Sequence, residues 1–285
     1  MTVPYLITGR NGQLAREFIK RFTARSIGFV APDEQHLDII DTEAVLNAVA
    51  AHQPAVIINC AAYNLVDRAE QDQDKAFSVN SIGAKNLAQA AARAGAVLVH
   101  FGSDYVFDGG KETGLYTESD PTNPLNVYGR SKLAGEQSVM EEGGRFLIFR
   151  LSWVFGEGTQ NFIHKLTEWS GSNEYLKIAC DEFSVPTYTG TVVDAVLASL
   201  EQGLTGRYHL TNSGYCSRYE WAKLILNSLG INKFIRPVNM DSFKLPAQRP
   251  RFSAMSSANL ARQLNIEIPA WETAVSSFCK GMRRS

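Results

Sequence analysis

The chain has 285 residues, of which 45% are hydrophobic and 20% charged, and its formal net charge is −1. That composition supports a sizeable buried core, enough for one large α/β domain or a nucleotide-binding domain with a smaller lobe. It carries no basic stripe to point to nucleic acid and no apolar run long enough to span a membrane, and the short tail at Arg283 and Arg284 reads as a solvated terminus.

The first half alternates short β-rich runs with helical patterns. Tyr5 to Thr8 reads as a strand, and residues 13–24 carry helical spacing through Leu14, Phe18, Ile19 and Phe22. Ile27 to Val30 is the second predicted strand. Thr42 to His52 is a helix stopped before Pro54, and Ala55 to Ile58 is a fully apolar third strand. An alanine-rich helix is expected over 74–94, ended by Gly95, with the next strand at Val97 to Phe101. Strands apolar on both faces and separated by helices indicate a parallel sheet covered on both sides. The expected fold class is α/β, a Rossmann-like doubly wound parallel sheet.

The second half is less regular. Phe146 to Arg150 reads as another sheet strand and 190–201 as a further covering helix. Ser217 to Glu220 has the S-x-x-E capping-box pattern, opening an amphipathic helix that Gly230 ends. Residues 236–253, with Pro237, Pro246 and Pro250, read as a loop. The expected division is a dinucleotide-binding domain over 1–150, with 186–208 returning to it. A smaller C-terminal substrate-binding lobe is expected from 151–185 and 209–285. Cys60, Cys180, Cys216 and Cys279 form no CxxC pair and read as reduced thiols of a cytoplasmic protein without a signal peptide. Five histidines without ligand spacing argue against a metal site.

The first chemical signal is Gly9-Arg10-Asn11-Gly12-Gln13-Leu14-Ala15, between the first strand and the first helix. Glycines there let the backbone approach a pyrophosphate resting on the helix N-terminus. The spacing is G-x-x-G-x-x-A rather than G-x-G-x-x-G, and Ala15 supplies the small side chain that helix packing needs. Asp33, after the second strand, suits the adenosine ribose hydroxyls, and equally suits a surface loop. Arg10 suits a 2′-phosphate, so NADPH and NADH both remain open.

The second signal is Tyr128-Gly129-Arg130-Ser131-Lys132. On a helix, i and i+4 share a face, so the ammonium can sit near the phenol and the cofactor ribose. A nearby cation favours phenolate, lowering a pKa that is about 10 in free tyrosine. Tyr219 and Lys223 repeat this spacing, but their amphipathic helix assigns them to packing and solvent. Ser103 precedes Tyr128 at the C-terminal edge of the sheet, where open α/β folds bind ligands. Trp153, just beyond a strand at that edge, suits a flat platform for a sugar. His100, on a buried strand, reads as a satisfied core histidine, and Asp67 with Glu70 as a solvated turn leading to a helix.

Ser103, Tyr128 and Lys132 in that order resemble the serine–tyrosine–lysine set of short-chain dehydrogenases, and Asn59-Cys60-Ala61-Ala62 with Asn80 match its extended, nucleotide-sugar branch. The resemblance narrows to the dTDP-4-dehydrorhamnose reductase family through Cys60–Tyr63 with Val66–Glu70, Ser103–Phe107, Asn126–Gly129 and Ser152–Gly156. Pro186–Thr189, Tyr208–Asn212, Gly214–Ser217 and Arg249–Ser253 extend it nearly end to end. Phe183-Ser184-Val185 departs from the glycine that the family more often has before Pro186, a change expected to alter loop shape but not the reaction.

The resemblance implies reduction of the C4 ketone of dTDP-4-dehydro-L-rhamnose to dTDP-L-rhamnose by NADPH or NADH, in nucleotide-sugar and cell-surface polysaccharide biosynthesis. It implies Ser103, Tyr128 and Lys132 as catalytic residues. Gly9, Arg10, Asn11, Gly12, Gln13, Leu14, Asp33, Asp38, Ile39, Ala61, Ala62 and Tyr63, with Tyr128 and Lys132, would bind cofactor. Ser103, Asp104, Tyr128, Trp153, Arg249 and Arg251 would meet the dTDP-linked 4-keto-6-deoxy sugar, with Arg249 or Arg251 either facing its diphosphate or, equally, serving a surface loop. A nucleotide-sugar epimerase or dehydratase of the same fold is the alternative, as is a non-catalytic regulatory subunit resembling the methionine adenosyltransferase partner. Whether the chain pairs as a homodimer stays open.

Overall fold

Tyr5–Thr8 (β1) runs into the glycine loop and then Gln13–Ala24 (α1), whose Leu14, Phe18 and Phe22 turn inward. The structure, a computed structural model, describes residues 4–283. Arg284 therefore lies outside the described residues. The Arg283 guanidinium lies against Gly230, which ends a helix in the left-handed conformation. Phe29–Val30 (β2) is shorter than the Ile27–Val30 strand expected, because the Ile27 N–H is taken by the Phe22 carbonyl at the end of α1. Thr42–His52 (α2) starts where the Asp41 carboxylate accepts the N–H groups of Glu43 and Ala44, and Val56–Asn59 (β3) follows.

The single helix expected over 74–94 is broken into parts. After Val66–Ala69 (α3) come Gln73–Phe77 (α4), a π-helical turn over Ser78–Ile82, and Gly83–Ala94 (α5). A π turn holds one residue more than an α turn, and here it aims the buried Asn80 side chain away from its own helix. Val97–Ser103 (β4) is buried throughout and longer than expected, reaching Ser103 itself. Val127–Glu142 (α6) and Arg145–Leu151 (β5) complete the crossover.

Beyond β5 lie Val154–Phe155 (β6), Phe162–Ser172 (α7), Leu176–Ala179 (β7), Phe183–Ser184 (β8), Thr187–Tyr188 (β9) and Thr189–Glu201 (α8). Gly206–His209 (β10), Cys216–Ser217 (β11) and Arg218–Leu229 (α9) follow, and both halves of the capping box are present at Ser217 and Glu220. Ile235–Val238 (β12) lies within the stretch read as a loop and pairs in parallel with β7. That two-stranded sheet has only edges, where Pro237 can be accommodated without a ladder N–H. Ala258–Leu264 (α10) and Trp271–Met282 (α11) end the order.

Six parallel strands form one sheet in the order β10-β5-β4-β3-β1-β2. The direction of winding reverses between β1 and β3, so a crevice opens beyond their C-terminal ends. Phe18, Phe22, Val192, Val196 and Leu260 cover one face of the sheet, and Val45, Leu87, Ala88 and Val139 cover the other. A third core gathers Phe155, Leu166, Trp221, Ile225 and Val275, away from the sheet.

One charged pair lies wholly inside. Arg150 of β5 and Glu136 of α6 are both 0% exposed, with Nε–Oε1 and Nη2–Oε2 at 3.0 and 2.7 Å. Their attraction offsets a large desolvation cost only while both remain. Arg150→Ala is therefore expected to destabilise the chain by about 3–5 kcal/mol in urea unfolding. Replacing both residues with leucine and methionine should cost clearly less than the single change, and an equal cost would show that the pair contributes no more than packing.

Candidate active site

Gly9 has φ +69, and a Cβ there would lie 2.5 Å from the Ala61 nitrogen, so only glycine lets the ends of β1 and β3 come this close. Gly12 caps α1 through its backbone alone: no side chain takes up the first N–H groups, and no acid lies in the first turn. That is an open anion cradle of the kind a pyrophosphate fills. Gln13 ties the cradle to the far segment by donating to the Val154 carbonyl at 3.0 Å. Leu14 and Ala15 are buried in the core, so the small third residue does its packing as alanine.

Asn11 is exposed at the lip of the cradle, and Arg10 reaches across to the Ala31 carbonyl at the end of β2, 3.3 Å away. Asp33 lies nearby but turns back on its own loop. Its Oδ1 accepts the N–H groups of Gln35 and His36 and meets His36 Nδ1 at 2.6 Å, which holds its carboxyl below the usual range. The expected ribose ligand is thus occupied as a turn former, while the Arg10 guanidinium overhangs the same place. Asp38 is exposed and accepts the Ile40 N–H, and Ile39 is buried against Gly83.

Asn80 joins the cofactor wall to the catalytic helix. Its Oδ1 accepts the Tyr63 N–H at 2.8 Å, and its Nδ2 donates to the Tyr63 carbonyl and to Ser131 Oγ. Ala61 and Ala62 lie on the partly exposed loop thus held. Ser131 in turn donates to the Tyr128 carbonyl. The sequence flagged Asn80 only as a matching residue; the π turn that gives it reach leaves no periodicity signal distinct from an α-helix.

Tyr128 opens α6, which Asn126 caps through the Gly129 N–H. A Cβ on Gly129 would lie 2.2 Å from the Tyr105 carbonyl, so the helix start presses directly on the segment after Ser103. The phenol is not activated as expected. Burial pushes its pKa up to about 12, against a lowering contribution from Ser103, and the hydroxyl faces Asn64 Oδ1 at 3.5 Å. Lys132 sits below it, donating to the Phe101 carbonyl at 2.6 Å, and burial brings its pKa down to about 8. The i, i+4 spacing places the ammonium on the right face, but a main-chain acceptor on β4 takes the hydrogen bond.

Ser103 Oγ donates to Asp104 Oδ1 at 3.3 Å and accepts the Tyr105 N–H. Asp104 is buried, and Ser184 and Ser253 donate to its Oδ2 at 2.9 and 2.6 Å. Burial raises its carboxyl to about 6 in spite of those donors. Its side chain therefore orients Ser103 instead of facing the cleft. Ser184, read as a loop-shape departure, belongs to this cluster.

Trp153, expected as a flat platform, is half-buried among other side chains. One face stacks on Trp221, with centroids 5.4 Å apart and 9° between planes, and the Arg218 guanidinium lies 3.6 Å from the ring centroid. Arg249 is bound by Asp67 through both nitrogens, at 3.0 and 2.7 Å. Arg251 pairs with Asp181 and Asp241. Neither arginine is a free cation awaiting a diphosphate. Asp67 and Glu70 are likewise not a solvated turn: Glu70 Oε1 accepts the Val127 N–H at the start of α6. His100 is satisfied at Nδ1 by Asn59, but its buried Nε2 has no partner, and burial drives its pKa well below the ordinary value. Tyr219 packs on the third core with Lys223 over its ring, remote from these groups. A cavity of about 830 Å³ beside Gly156, Ile163, Tyr188 and Phe278 contains none of them.

No group of three or more His, Cys, Asp or Glu among the described residues is arranged to hold a metal ion. No helix among them is long and apolar enough to cross a membrane.

Residues 3–284 match the family model described as the RmlD substrate binding domain. The chain is 35% identical to the dTDP-4-dehydrorhamnose reductase of Burkholderia thailandensis, covering 95% of this chain and 96% of that one. It is 33% identical to the spore coat polysaccharide biosynthesis protein SpsK of Bacillus subtilis, with 96% and 95% covered. The crystal structure of a dTDP-4-dehydrorhamnose reductase from Clostridium acetobutylicum superposes with a TM-score of 0.94 at 34% identity, covering 98% of this chain and 99% of that one. The Bacillus anthracis dTDP-4-dehydrorhamnose reductase in complex with NADP gives 0.93, also at 34% identity and with the same coverage. A UDP-glucose 4-epimerase from Thermus thermophilus, at 18% identity and 0.83, shares the fold alone. On these matches along nearly its whole length, the chain belongs to the dTDP-4-dehydrorhamnose reductase family.

Proposed function

We propose that the chain reduces the C4 ketone of dTDP-4-dehydro-L-rhamnose to dTDP-L-rhamnose, with NADPH or NADH, as an oxidoreductase of dTDP-rhamnose biosynthesis. The observation that carries the proposal is a single edge. Ser103, Tyr128 and Lys132 meet at the C-terminal end of β4, beside the uncapped α1 cradle. The glycine approach at Gly9 and the free N–H groups of α1 fit a dinucleotide pyrophosphate. When bound, the nicotinamide supplies the hydride.

The chain's own residues supply position and a proton. A phenol with its pKa pushed up to about 12 is fully protonated at neutral pH. It is therefore an acid ready to donate, which is the form that reduction of a ketone requires. Tyr128 Oη gives its proton to the oxygen that was the carbonyl, and Ser103 Oγ, placed by the Tyr105 N–H, fixes that oxygen by turning its hydrogen to it from Asp104 Oδ1. Lys132, charged below about pH 8, stabilises the phenolate left behind and holds the ribose. Trp153 and the ion-paired Arg249 and Arg251 frame the sugar side. Residues 1–150 with 186–208 hold the cofactor, and 151–185 with 209–285 hold the substrate. The four free cysteines fit a reducing compartment, and we place the enzyme in the cytoplasm.

The deciding assay is NAD(P)H oxidation with dTDP-4-dehydrorhamnose, with GDP- and UDP-linked keto sugars as controls. A nicotinamide that co-purifies stoichiometrically, with no net oxidation, would point instead to an epimerase or dehydratase. Tyr128→Phe is expected to lower turnover about 10²–10⁴-fold while leaving NADPH titration intact, and Tyr219→Phe should stay near wild type. Loss of activity in the Tyr219 variant alone would move the site elsewhere. The alkaline limb of the kcat/KM profile should inflect near pH 8, where Lys132 loses its charge, and an inflection near 10 would rule out that assignment. Arg10→Ala should weaken NADPH more than NADH in fluorescence titrations, since Arg10 overhangs the end of β2. Equal weakening would mean that Arg10 does not read the 2′-phosphate.

A further inference from the structure

One charged side chain lies against the Trp153 ring beside Trp221. Arg218, the first residue of α9, lies with its guanidinium 3.6 Å from the Trp153 ring centroid, and 5.0 and 5.5 Å from those of Phe162 and Trp221. Glu182 holds it there: Nε and Nη2 donate to the two carboxylate oxygens at 3.3 and 3.1 Å, and the Arg218 N–H donates to the Glu182 carbonyl. Both side chains are mostly buried, 19% and 10% exposed. The pair also acts electrostatically on the site, since Glu182 raises the pKa of Asp104 and both charges act on Tyr105.

Three nitrogens make up this guanidinium, and Glu182 uses two. Nη1 has no hydrogen-bond partner among the described residues and is not sealed from solvent. A flat guanidinium stacked on an indole and clamped by a carboxylate keeps its remaining N–H groups in a fixed direction. Glu182 also cancels its net charge, so what it offers a ligand is directional donation more than Coulomb attraction.

We propose that Arg218 is a specificity-determining substrate residue, whose stacked guanidinium donates from Nη1 to an oxygen of the hexose ring substituents and not to the diphosphate. This rests on the reading of the chain as a dTDP-sugar reductase. Trp153 then serves the sugar indirectly, as the surface that keeps Arg218 flat.

The test separates sugar from nucleotide. Titration calorimetry with dTDP-L-rhamnose and with dTDP alone gives two dissociation constants, and their ratio isolates the contribution of the sugar. In Arg218→Gln that ratio is expected to fall about tenfold, the effect of one lost hydrogen bond, with the dTDP and NADPH constants unchanged. Arg218→Lys keeps a cation beside Glu182 but loses the planar fork, and should show the same fall. It also serves as the measured variant if Arg218→Gln does not fold. An unchanged ratio in the folded variant would reduce Arg218 to core packing, and a weakening shared equally by dTDP would assign it to the diphosphate; either overturns the proposal. If the wild-type protein bound dTDP-L-rhamnose no better than dTDP, the reductase reading itself would fail, and this proposal with it.

Discussion

Everything at this site depends on how closely α6 can approach the sheet edge. Two glycines set that distance. At Gly129 a Cβ would strike the Tyr105 carbonyl, and at Gly135 one would lie 2.1 Å from the Asn80 carbonyl. Without side chains at those points, the helix settles onto both the segment after β4 and the π turn. Tyr128 and Lys132, on the face between the two glycines, are thereby delivered beside Ser103. Asn80 then bonds across the gap to Tyr63 and Ser131, tying the cofactor wall to the same helix.

The electrostatics follow from that closeness. Tight packing excludes water from the phenol, the ammonium and the Asp104 carboxyl, and each shifts toward its uncharged form: Tyr128 and Asp104 upward, Lys132 downward. Glu136, one turn beyond Lys132, opposes the shift of the lysine and is itself neutralised by Arg150. Lys132 and Glu136 thus lie one turn apart on one face of α6, and Arg150 of β5 holds the glutamate in the interior. Protonated tyrosine is what a reductase needs, and it arises from burial, an effect that a neighbouring cation would oppose.

The cations of the substrate side obey a different constraint. Arg218, Arg249 and Arg251 are each matched to carboxylates, so the lobe gains fixed geometry without a strong positive field. Asp67, which anchors Arg249, lies just ahead of Glu70, which supports the first turn of α6. The loop carrying Arg249 and the start of the catalytic helix therefore lean on the same short helix, α3.

The sequence by itself determined the winding. Apolar runs at 5–8, 55–58 and 97–101 read as strands buried on both faces, and Gly9 and Gly12 as a turn between strand and helix, in which Gly9 closely approaches another backbone. It also determined which helix bears the tyrosine and lysine, because that spacing is a local property. The tertiary structure decided what each side chain faces. Whether Lys132 bonds a phenol or the Phe101 carbonyl, whether Trp153 is bare or lies under Arg218, and whether Asp33 reaches a ribose or its own loop all depend on partners distant in the chain or on a turn's exact path. The π turn at 78–82 belongs to the same class: its residues carry ordinary helical preferences, while Asn80 bonds a loop 17 positions away and helix α6 51 positions away. Periodicity encodes which way a segment faces; only packing encodes what it meets.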